Sequence, residues 1–311
     1  MELSVSTELC GVKLRNPTVL ASGILGVGAD LLVRVAEAGA GAVTSKSATL
    51  KPRAGHPNPS VLDWGMGLIN AVGLSNPGVE EEVREIREVV KRSKSPVIAS
   101  IAASSVEDFA LAAERISAAE PALIEANISC PNVEDEFGAP FASSASAAAE
   151  VTAAIKKATH VPLLVKLSPN VSDIKVIAKA VEKAGADGIT AVNTVGPGMV
   201  IDVDVGKPIL ANKRGGLSGP AIKPIAVRCV YDVCSTVKIP VVGTGGVSTG
   251  RDAVEMIMAG AAAVGIGSAV HYRGLSVFAL VEKEIKNFMS THNYSCLEDF
   301  RGKALQDKER S

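Results

Sequence analysis

Residues 240–269 read PVVGTGGVSTGRDAVEMIMAGAAAVGIGSA. Two short apolar runs, 240–243 and 263–267, flank a helical pattern that begins at Thr249. The first run is apolar at successive positions rather than alternating, which is typical of a parallel strand covered on both faces. This order of strand, helix and strand predicts a parallel βαβ unit.

The same order of runs repeats along the chain. We predict eight strands, at 17–24, 41–47, 96–101, 123–129, 162–167, 188–193, 240–243 and 263–267. Gly39, Gly185 and Gly260 each stand inside an Ala-Gly-Ala triplet where a helix should end, so they are predicted helix C-caps. Eight parallel strands close a barrel. The predicted fold is therefore a (β/α)8 TIM barrel of the α/β class, with residues 1–311 in a single domain.

Three connections are longer than a strand-to-helix loop needs. They are 48–77 after strand 2, 131–143 after strand 4 and 195–220 after strand 6. Long loops on this side of a barrel build active sites, and the alternative is that they are surface loops without function.

The segment 79–94 predicts an amphipathic helix with Val83, Ile86, Val89 and Val90 on its apolar face. Residues 3–14 are expected to form a hairpin that plugs the barrel floor.

Composition and charge exclude several classes of protein. With 311 residues, 47% hydrophobic and 21% charged, the chain has enough apolar material for a large core and is not disordered. The net charge of -1 and the 3% of aromatic residues argue against nucleic-acid binding, because such proteins need basic surfaces and stacking platforms. No apolar run is long enough to span a membrane.

The cysteines give no sign of a metal site. Cys10, Cys130, Cys229, Cys234 and Cys296 are scattered, without a CxxC pair or a histidine at ligand spacing, so we expect no bound metal. The odd number of cysteines fits a reducing compartment. The first residues lack the pattern of a signal peptide. Together these features predict a cytoplasmic protein.

Glycines end the last two predicted strands, in GTGG and GIGS. They let main-chain N–H groups approach an anion closely, and each is followed by a helix N-terminus. Barrels of this kind commonly bind a phosphate at this place. Gly245, Gly246, Gly267 and Ser268 therefore predict a phosphate site, and the alternative is that these glycines only make tight turns.

Two lysines, Lys46 and Lys166, end otherwise apolar strands. An ammonium group at the barrel mouth needs an anionic partner, which could be a ligand or a protein carboxylate, unless the side chain extends to solvent.

Asparagines collect at the ends of the same predicted strands, and each amide offers donors and an acceptor. These are Asn70, Asn127, Asn132 and Asn193. Together they suit a small heterocycle with N–H and C=O groups, although each alone could be a turn residue or a cap.

Cys130 follows the fourth predicted strand and precedes a proline, which restricts its backbone to an extended conformation. Its thiol has a reference pKa near 8.5, so it is a plausible proton acceptor close to lysine charge. The other cysteines are better interpreted as inert buried groups. The four histidines fall in predicted loops or helix ends, so a Cys–His hydrolase lacks support.

Read together, a set of motifs in this order resembles the class 1B dihydroorotate dehydrogenase catalytic subunit. The motifs are ASGILG (21–26), TSKSAT (44–49), NAVGLSNPG (70–78), NISCPN (127–132), VKLSPN (165–170), NT (193–194), GGLSGPAIKP (215–224), GTGGV (243–247) and GIGSA (265–269). The resemblance runs to about Phe288, and the tail from Ser290 carries no motif. The joint presence of these motifs is highly specific.

The resemblance implies an FMN site and a dihydroorotate site on matching positions. It implies that FMN binds through Ser22, Lys46, Ser47, Asn127, Lys166, Val192, Ser218, Gly219, Gly245, Gly246, Gly267 and Ser268. Ser100 takes the position at the end of strand 3 where relatives often carry an FMN-contacting asparagine. It implies that the substrate is held by Lys46, Asn70, Ala71, Val72, Gly73, Leu74, Asn127, Asn132, Asn193 and Thr194.

The resemblance also implies the reaction, the oxidation of dihydroorotate to orotate in pyrimidine biosynthesis. Cys130 would accept the proton from C5, FMN the hydride from C6, and Lys166 would stabilise the charge of the reduced flavin. In class 1B the electrons pass to NAD through a partner subunit that carries FAD and a [2Fe-2S] cluster. The assembly is a heterotetramer built on a dimer of the catalytic subunit.

Other enzymes remain as alternatives at this stage. The nearest is a class 1A-like homodimer that uses fumarate, whereas the membrane-associated class is disfavoured because its N-terminal helices are missing. A tRNA dihydrouridine synthase shares the FMN barrel and a catalytic cysteine, but it would need an RNA-binding surface and an additional helical domain. A barrel lyase or isomerase without flavin would use Lys166 as a Schiff-base lysine.

Overall fold

The computed structural model describes residues 3–25, 27–129 and 141–306. The described chain begins with an antiparallel hairpin of β1 (Thr7–Leu9) and β2 (Val12–Leu14). Its two-residue turn is Cys10-Gly11, with φ of 52° and 81°. Positive φ at both central residues is the geometry of a type I′ turn, whose twist matches that of paired strands. The predicted N-terminal hairpin is confirmed.

Eight parallel strands then form a closed barrel. In chain order they are β3 (Thr18–Leu20), β4 (Ala42–Thr44), β7 (Val97–Ile101), β8 (Leu123–Asn127), β9 (Leu163–Leu167), β10 (Gly188–Ala191), β15 (Val241–Thr244) and β16 (Ala263–Ile266). Each strand pairs with the next, and β16 closes the ring by pairing with β3. The predicted TIM barrel is confirmed, although the regular strands are shorter than the predicted runs.

Helices follow the strands and cover the outside of the barrel. We number them α1 (Ala29–Glu37), α2 (Val79–Arg92), α3 (Val106–Ser117), α4 (Ala145–Ala158), α5 (Ile174–Lys183), α6 (Lys223–Cys234), α7 (Gly250–Met258), α8 (Ala269–Arg273) and α9 (Val277–Thr291). Helix α7 begins after Thr249, whose side chain forms a capping box with Asp252. Gly39, Gly185 and Gly260 follow helix ends with φ of 112°, 99° and 110°, which confirms the predicted C-caps.

Helix α2 corrects one detail of the predicted apolar face. Val83, Ile86 and Val89 are buried, as predicted. Val90 is 39% exposed, because it lies on the side of the helix away from the barrel. The helix also ends at Arg92, before the predicted boundary at residue 94.

Two of the long connections are not irregular loops. The segment 48–77 contains β5 (Val61–Asp63) and β6 (Leu68–Asn70). The segment 195–220 contains β11 (Val195–Gly198), β12 (Ile201–Asp202), β13 (Lys207–Pro208) and β14 (Gly215–Ser218). Strands from both segments combine into a four-stranded antiparallel sheet in the order β11-β14-β6-β5, which was not predicted. Most of the third connection, 131–140, lies outside the described residues.

The hairpin of β1 and β2 fills the end of the barrel opposite the long connections. Leu9 and Leu14 are buried and pack in one cluster with residues from seven barrel strands, which are Val19, Ala42, Ile98, Leu123, Leu164, Val242 and Ala263. A barrel of eight strands has an interior that side chains fill, so the hairpin completes the lowest layer of that core. The predicted closure of the floor is confirmed.

Replacing Leu9 with alanine tests this packing. Leu9 is 0% exposed, so Leu9→Ala should lower the free energy of unfolding by about 2–5 kcal/mol, through lost burial and a cavity. Glu8→Ala, at an exposed position of the same strand, should change it by less than about 0.5 kcal/mol. Urea denaturation measures both. Equal effects of the two substitutions would show that the hairpin is not part of the core.

Candidate active site

A cavity lies at the carboxyl ends of the barrel strands, beside the four-stranded sheet. Its empty volume is about 1160 Å³, including the part open to solvent. It is lined by residues that end or directly follow seven of the eight barrel strands, among them Ser22, Lys46, Asn127, Lys166 and Gly267. The long connections 48–77 and 195–220 supply the remaining wall. This is the side of a barrel on which active sites are built.

Most of the residues that the resemblance implied for FMN line this one cavity. They are Ser22, Lys46, Ser47, Asn127, Lys166, Val192, Ser218, Gly219, Gly245, Gly246, Gly267 and Ser268. Ser100 does not line it. Ser100 is 0% exposed and its hydroxyl lies 2.9 Å from the Ser47 hydroxyl, so it contacts the site through Ser47.

The residues implied for the substrate divide into three groups. Those that line the cavity are Lys46, Asn70, Val72, Gly73, Leu74, Asn127, Asn193 and Thr194. Ala71 does not, because it packs with Ile69 and Leu210 in a small apolar cluster. Cys130, the predicted proton acceptor, and Asn132 lie outside the described residues.

Hydroxyl and amide groups join several of these residues in one network. The Ser22 hydroxyl lies 3.3 Å from that of Ser47, and Asn127 Nδ2 donates to Ser47 Oγ at 3.2 Å. Asn193 Nδ2 donates to Asn127 Oδ1 at 3.3 Å and to Ser129 Oγ at 3.0 Å. Because each amide is held by its neighbours, the network presents fixed donors and acceptors to a ligand in the cavity.

The glycine turns after β15 and β16 leave main-chain donors unused. The N–H groups of Gly245, Gly246, Gly267 and Ser268 donate to no acceptor among the described residues. At Gly245, with φ of 130°, an added Cβ would lie 2.6 Å from Ala226 Cβ, so a side chain has no room there. Unused N–H groups next to the starts of α7 and α8 are suited to bind an anion such as phosphate.

Both predicted lysines are buried at the cavity. Lys46 is 8% exposed and Lys166 is 6% exposed. Lys166 Nζ lies 3.7 Å from Glu125 Oε1, with both side chains buried. The carboxylate partner, one of the alternatives that the sequence left open, is therefore present for Lys166.

Glu125 was not predicted to belong to the site, although the sequence contained a signal. Glu125 is the single charged residue in the strand LIEAN, and it lies two residues before Asn127. Side chains two apart on a strand point to the same face, so the pattern could have placed Glu125 inside the barrel below the cavity.

A second buried carboxyl group, Glu82, was also missed. It lies in the first turn of α2 and is 0% exposed. Burial raises the pKa of Glu82 to about 8, and the Glu85 charge adds to the rise, whereas the Ser45 hydroxyl and the Lys46 ammonium group act in the opposite direction. Glu82 therefore carries a proton at neutral pH, behind the strand end that holds Lys46.

Fold and site together define a class of protein. A closed parallel barrel with unused main-chain N–H groups after its seventh and eighth strands, and buried lysines and amides at the same mouth, is a TIM barrel whose mouth is suited to a phosphate-bearing ligand. The model of the family described as dihydroorotate dehydrogenase matches residues 4–289. The chain belongs to this family.

Individual relatives agree with the family match. Among the most similar relatives are two proteins named dihydroorotate dehydrogenase B (NAD(+)), catalytic subunit. The protein of Methanosarcina mazei is 48% identical over 95% of this chain and 94% of its own length. The protein of Methanothermobacter thermautotrophicus is 44% identical over 98% of this chain and 99% of its own length. The crystal structure of DHODH from Eimeria tenella in complex with ferulenol has the same fold, with a TM-score of 0.83 at 21% identity, covering 97% of this chain and 89% of that one.

The burial of Glu82 predicts how stability depends on pH. An unfolded chain releases the glutamate proton near pH 4.3, whereas folded Glu82 keeps it until about pH 8. The folded state thus binds more protons between these values, so this residue makes stability fall as pH rises through that window. Glu82→Gln should remove that fall and become more stable than the wild type by several kcal/mol, to order of magnitude, near pH 8.

Urea denaturation at a series of pH values measures this difference. Glu88→Gln, at an exposed position of the same helix, is the matched control and should follow the wild-type curve. If the Glu82→Gln and wild-type stabilities stay parallel from about pH 5 to 8, Glu82 is not a buried protonated acid.

Proposed function

We propose that this chain oxidises dihydroorotate to orotate in de novo pyrimidine biosynthesis and that it binds FMN for this reaction. The observation that carries the proposal is that main-chain N–H groups suited to an anion, two buried lysines and a network of amides meet in one cavity. The family is FMN-dependent in general, and membership of it supports the choice of substrate.

The residues present fit FMN. The unused N–H groups at Gly245, Gly246, Gly267 and Ser268 suit its phosphate. The network of Ser22, Ser47 and Asn127 offers polar partners to a flavin ring that carries both N–H and C=O groups. Ser100 would support the ring only through Ser47.

When bound, FMN would supply the acceptor for the hydride that leaves C6 of dihydroorotate. The chain's own residues would accept the proton, bind the substrate and stabilise the charge of the reduced flavin. We assign Cys130 as the acceptor of the C5 proton, because a thiolate is a competent base near neutral pH. Lys46 binds the substrate carboxylate, and Lys166 supplies positive charge where reduction adds electrons. The amides of Asn70, Asn127, Asn132 and Asn193 bind the polar edges of the pyrimidine ring.

The electrons then leave through another protein in this proposal. The relatives are named as catalytic subunits of NAD(+)-linked enzymes, which supports a partner subunit and NAD as the final acceptor. We propose that the partner carries FAD and a [2Fe-2S] cluster, in a heterotetramer built on a dimer of this chain. Among the described residues, no group of three or more His, Cys, Asp or Glu side chains could hold a metal ion.

Two further expectations from the sequence stay proposals. We propose that residues 1–311 form one domain, because the barrel closes between strands from near both ends of the chain. The cytoplasmic location stays a prediction from the cysteine pattern. No helix in the described part of the chain has both the length and the apolar character needed to cross a bilayer.

Anaerobic reduction of the bound flavin tests the proposed function directly. Purified protein should contain FMN, and dihydroorotate should bleach its yellow absorption while orotate forms. NAD and fumarate are then supplied separately. Reoxidation by NAD only in the presence of the partner subunit supports the proposed acceptor, and reoxidation by fumarate with this chain alone supports the fumarate-using alternative. A flavin that dihydroorotate does not bleach would contradict the proposal.

Cys130→Ala tests the assignment of the proton acceptor. Loss of a general base typically costs about 10²- to 10⁴-fold in rate, so reduction of the flavin by dihydroorotate should slow by that factor. FMN content should stay unchanged. Cys229→Ala, at a buried position in α6 outside the cavity, is the matched control with the wild-type rate. An undiminished rate in Cys130→Ala would refute the assignment.

A further inference from the structure

Three side chains from neighbouring strands form a polar layer inside the barrel. They are Glu125 on β8, Lys166 on β9 and Thr190 on β10, and all three are buried. Their positions follow from strand alternation, because Leu123 and Leu164, two residues earlier, belong to the apolar floor. The layer therefore lies between the floor and the cavity.

The two carboxylate oxygens of Glu125 have different neighbours, a hydrogen-bond donor at one and a lysine at the other. Thr190 Oγ1 donates to Glu125 Oε2 at 2.9 Å. Glu125 Oε1 faces Lys166 Nζ at 3.7 Å and has no hydrogen-bond partner among the described residues. The carboxylate is thus fixed in place with one oxygen directed at the lysine.

Lys166 in turn keeps its donors for the cavity. A separation of 3.7 Å is an ion pair but too long for a hydrogen bond, and Lys166 lines the cavity. The pair therefore presents an ammonium group to a ligand, with a compensating negative charge directly below it. A buried ion pair of this kind is weak evidence for a role in stability. Its position at the base of the cavity therefore points to a role towards a ligand.

We propose that Glu125 is a positioning residue that holds Lys166 under the flavin and reduces the positive charge that the flavin experiences. The inference rests on the proposed function, because it requires FMN in the cavity. It follows that the pair, rather than Lys166 alone, sets the equilibrium between oxidised and reduced flavin.

The direction of the effect follows from the charges. Reduction adds negative charge to the flavin, and a nearby cation favours that state. Removal of the Glu125 carboxylate leaves the Lys166 charge uncompensated in a site of low dielectric. Glu125→Gln should therefore shift the flavin equilibrium about tenfold towards the reduced form, which is about 30 mV in potential for a two-electron couple.

The test is a redox titration of the FMN-loaded wild type and variants at one fixed pH. Thr190→Val is the matched control, because it removes the hydrogen bond to Glu125 without a change of charge. We expect a shift of less than about twofold for Thr190→Val. If Glu125→Gln binds FMN and its potential equals that of the wild type or of Thr190→Val, the proposed role of Glu125 is wrong.

A second measurement remains decisive if Glu125→Gln does not fold. In Lys166→Met the carboxylate of Glu125 loses its cation, and a buried carboxyl group without a partner charge takes up a proton. The infrared spectrum of the flavin-free variant should then gain a carbonyl band of a neutral carboxylic acid. Any band from Glu82 is common to both proteins, so the difference spectrum isolates Glu125. Absence of an additional band would overturn the pairing.

The two proposals fail in different ways. A wild-type protein that binds FMN and is reduced by dihydroorotate, with an unshifted potential in Glu125→Gln, would overturn only the role of Glu125. A wild-type protein that does not bind FMN would overturn both the proposed function and this inference.

Discussion

Closure of the barrel is the constraint on which the rest of the structure depends. The last strand, β16, pairs in parallel with β3, so Ile266 lies opposite Leu20. Since all eight strands run in one direction, every carboxyl end reaches the same rim. Ser22, Asn127 and Gly267, which are far apart in sequence, therefore line one cavity. The same closure leaves the opposite end open, and the hairpin of β1 and β2 fills it.

The interior of the barrel changes from apolar to charged along its axis. The floor around Leu9 is apolar, the next layer holds the Glu125–Lys166 pair, and the mouth carries amides and hydroxyls. A buried cation is costly unless an anion lies close to it. The carboxylate of Glu125 places such a charge 3.7 Å from Lys166 Nζ, where the lysine is only 6% exposed.

The barrel, the glycine turns and the two lysines of the cavity could be predicted from local signals in the sequence, whereas residues such as Ser22, Ser47 and Val192 were implied only by the family resemblance. A few neighbouring residues are enough to predict the strand runs, the C-cap glycines such as Gly185, and the GTGG and GIGS turns. The four-stranded sheet could not be predicted, because its strands are short and Asn70 pairs with Gly216, far along the chain. Glu82 was missed because its burial depends on how α2 packs against the barrel, which the helix pattern alone does not show, although helix α2 itself was predicted.

The sheet that joins β6 to β14 ties two distant segments of the chain to each other. Gly216 has no room for a side chain, since an added Cβ would lie 2.1 Å from Thr194 Oγ1, and its carbonyl accepts from Asn70 Nδ2 at 3.4 Å. A chimera that takes 48–77 from one parent enzyme and 195–220 from another would bring together strands that were never selected as a pair. Recombination between related barrels should therefore conserve these two segments as one inherited unit.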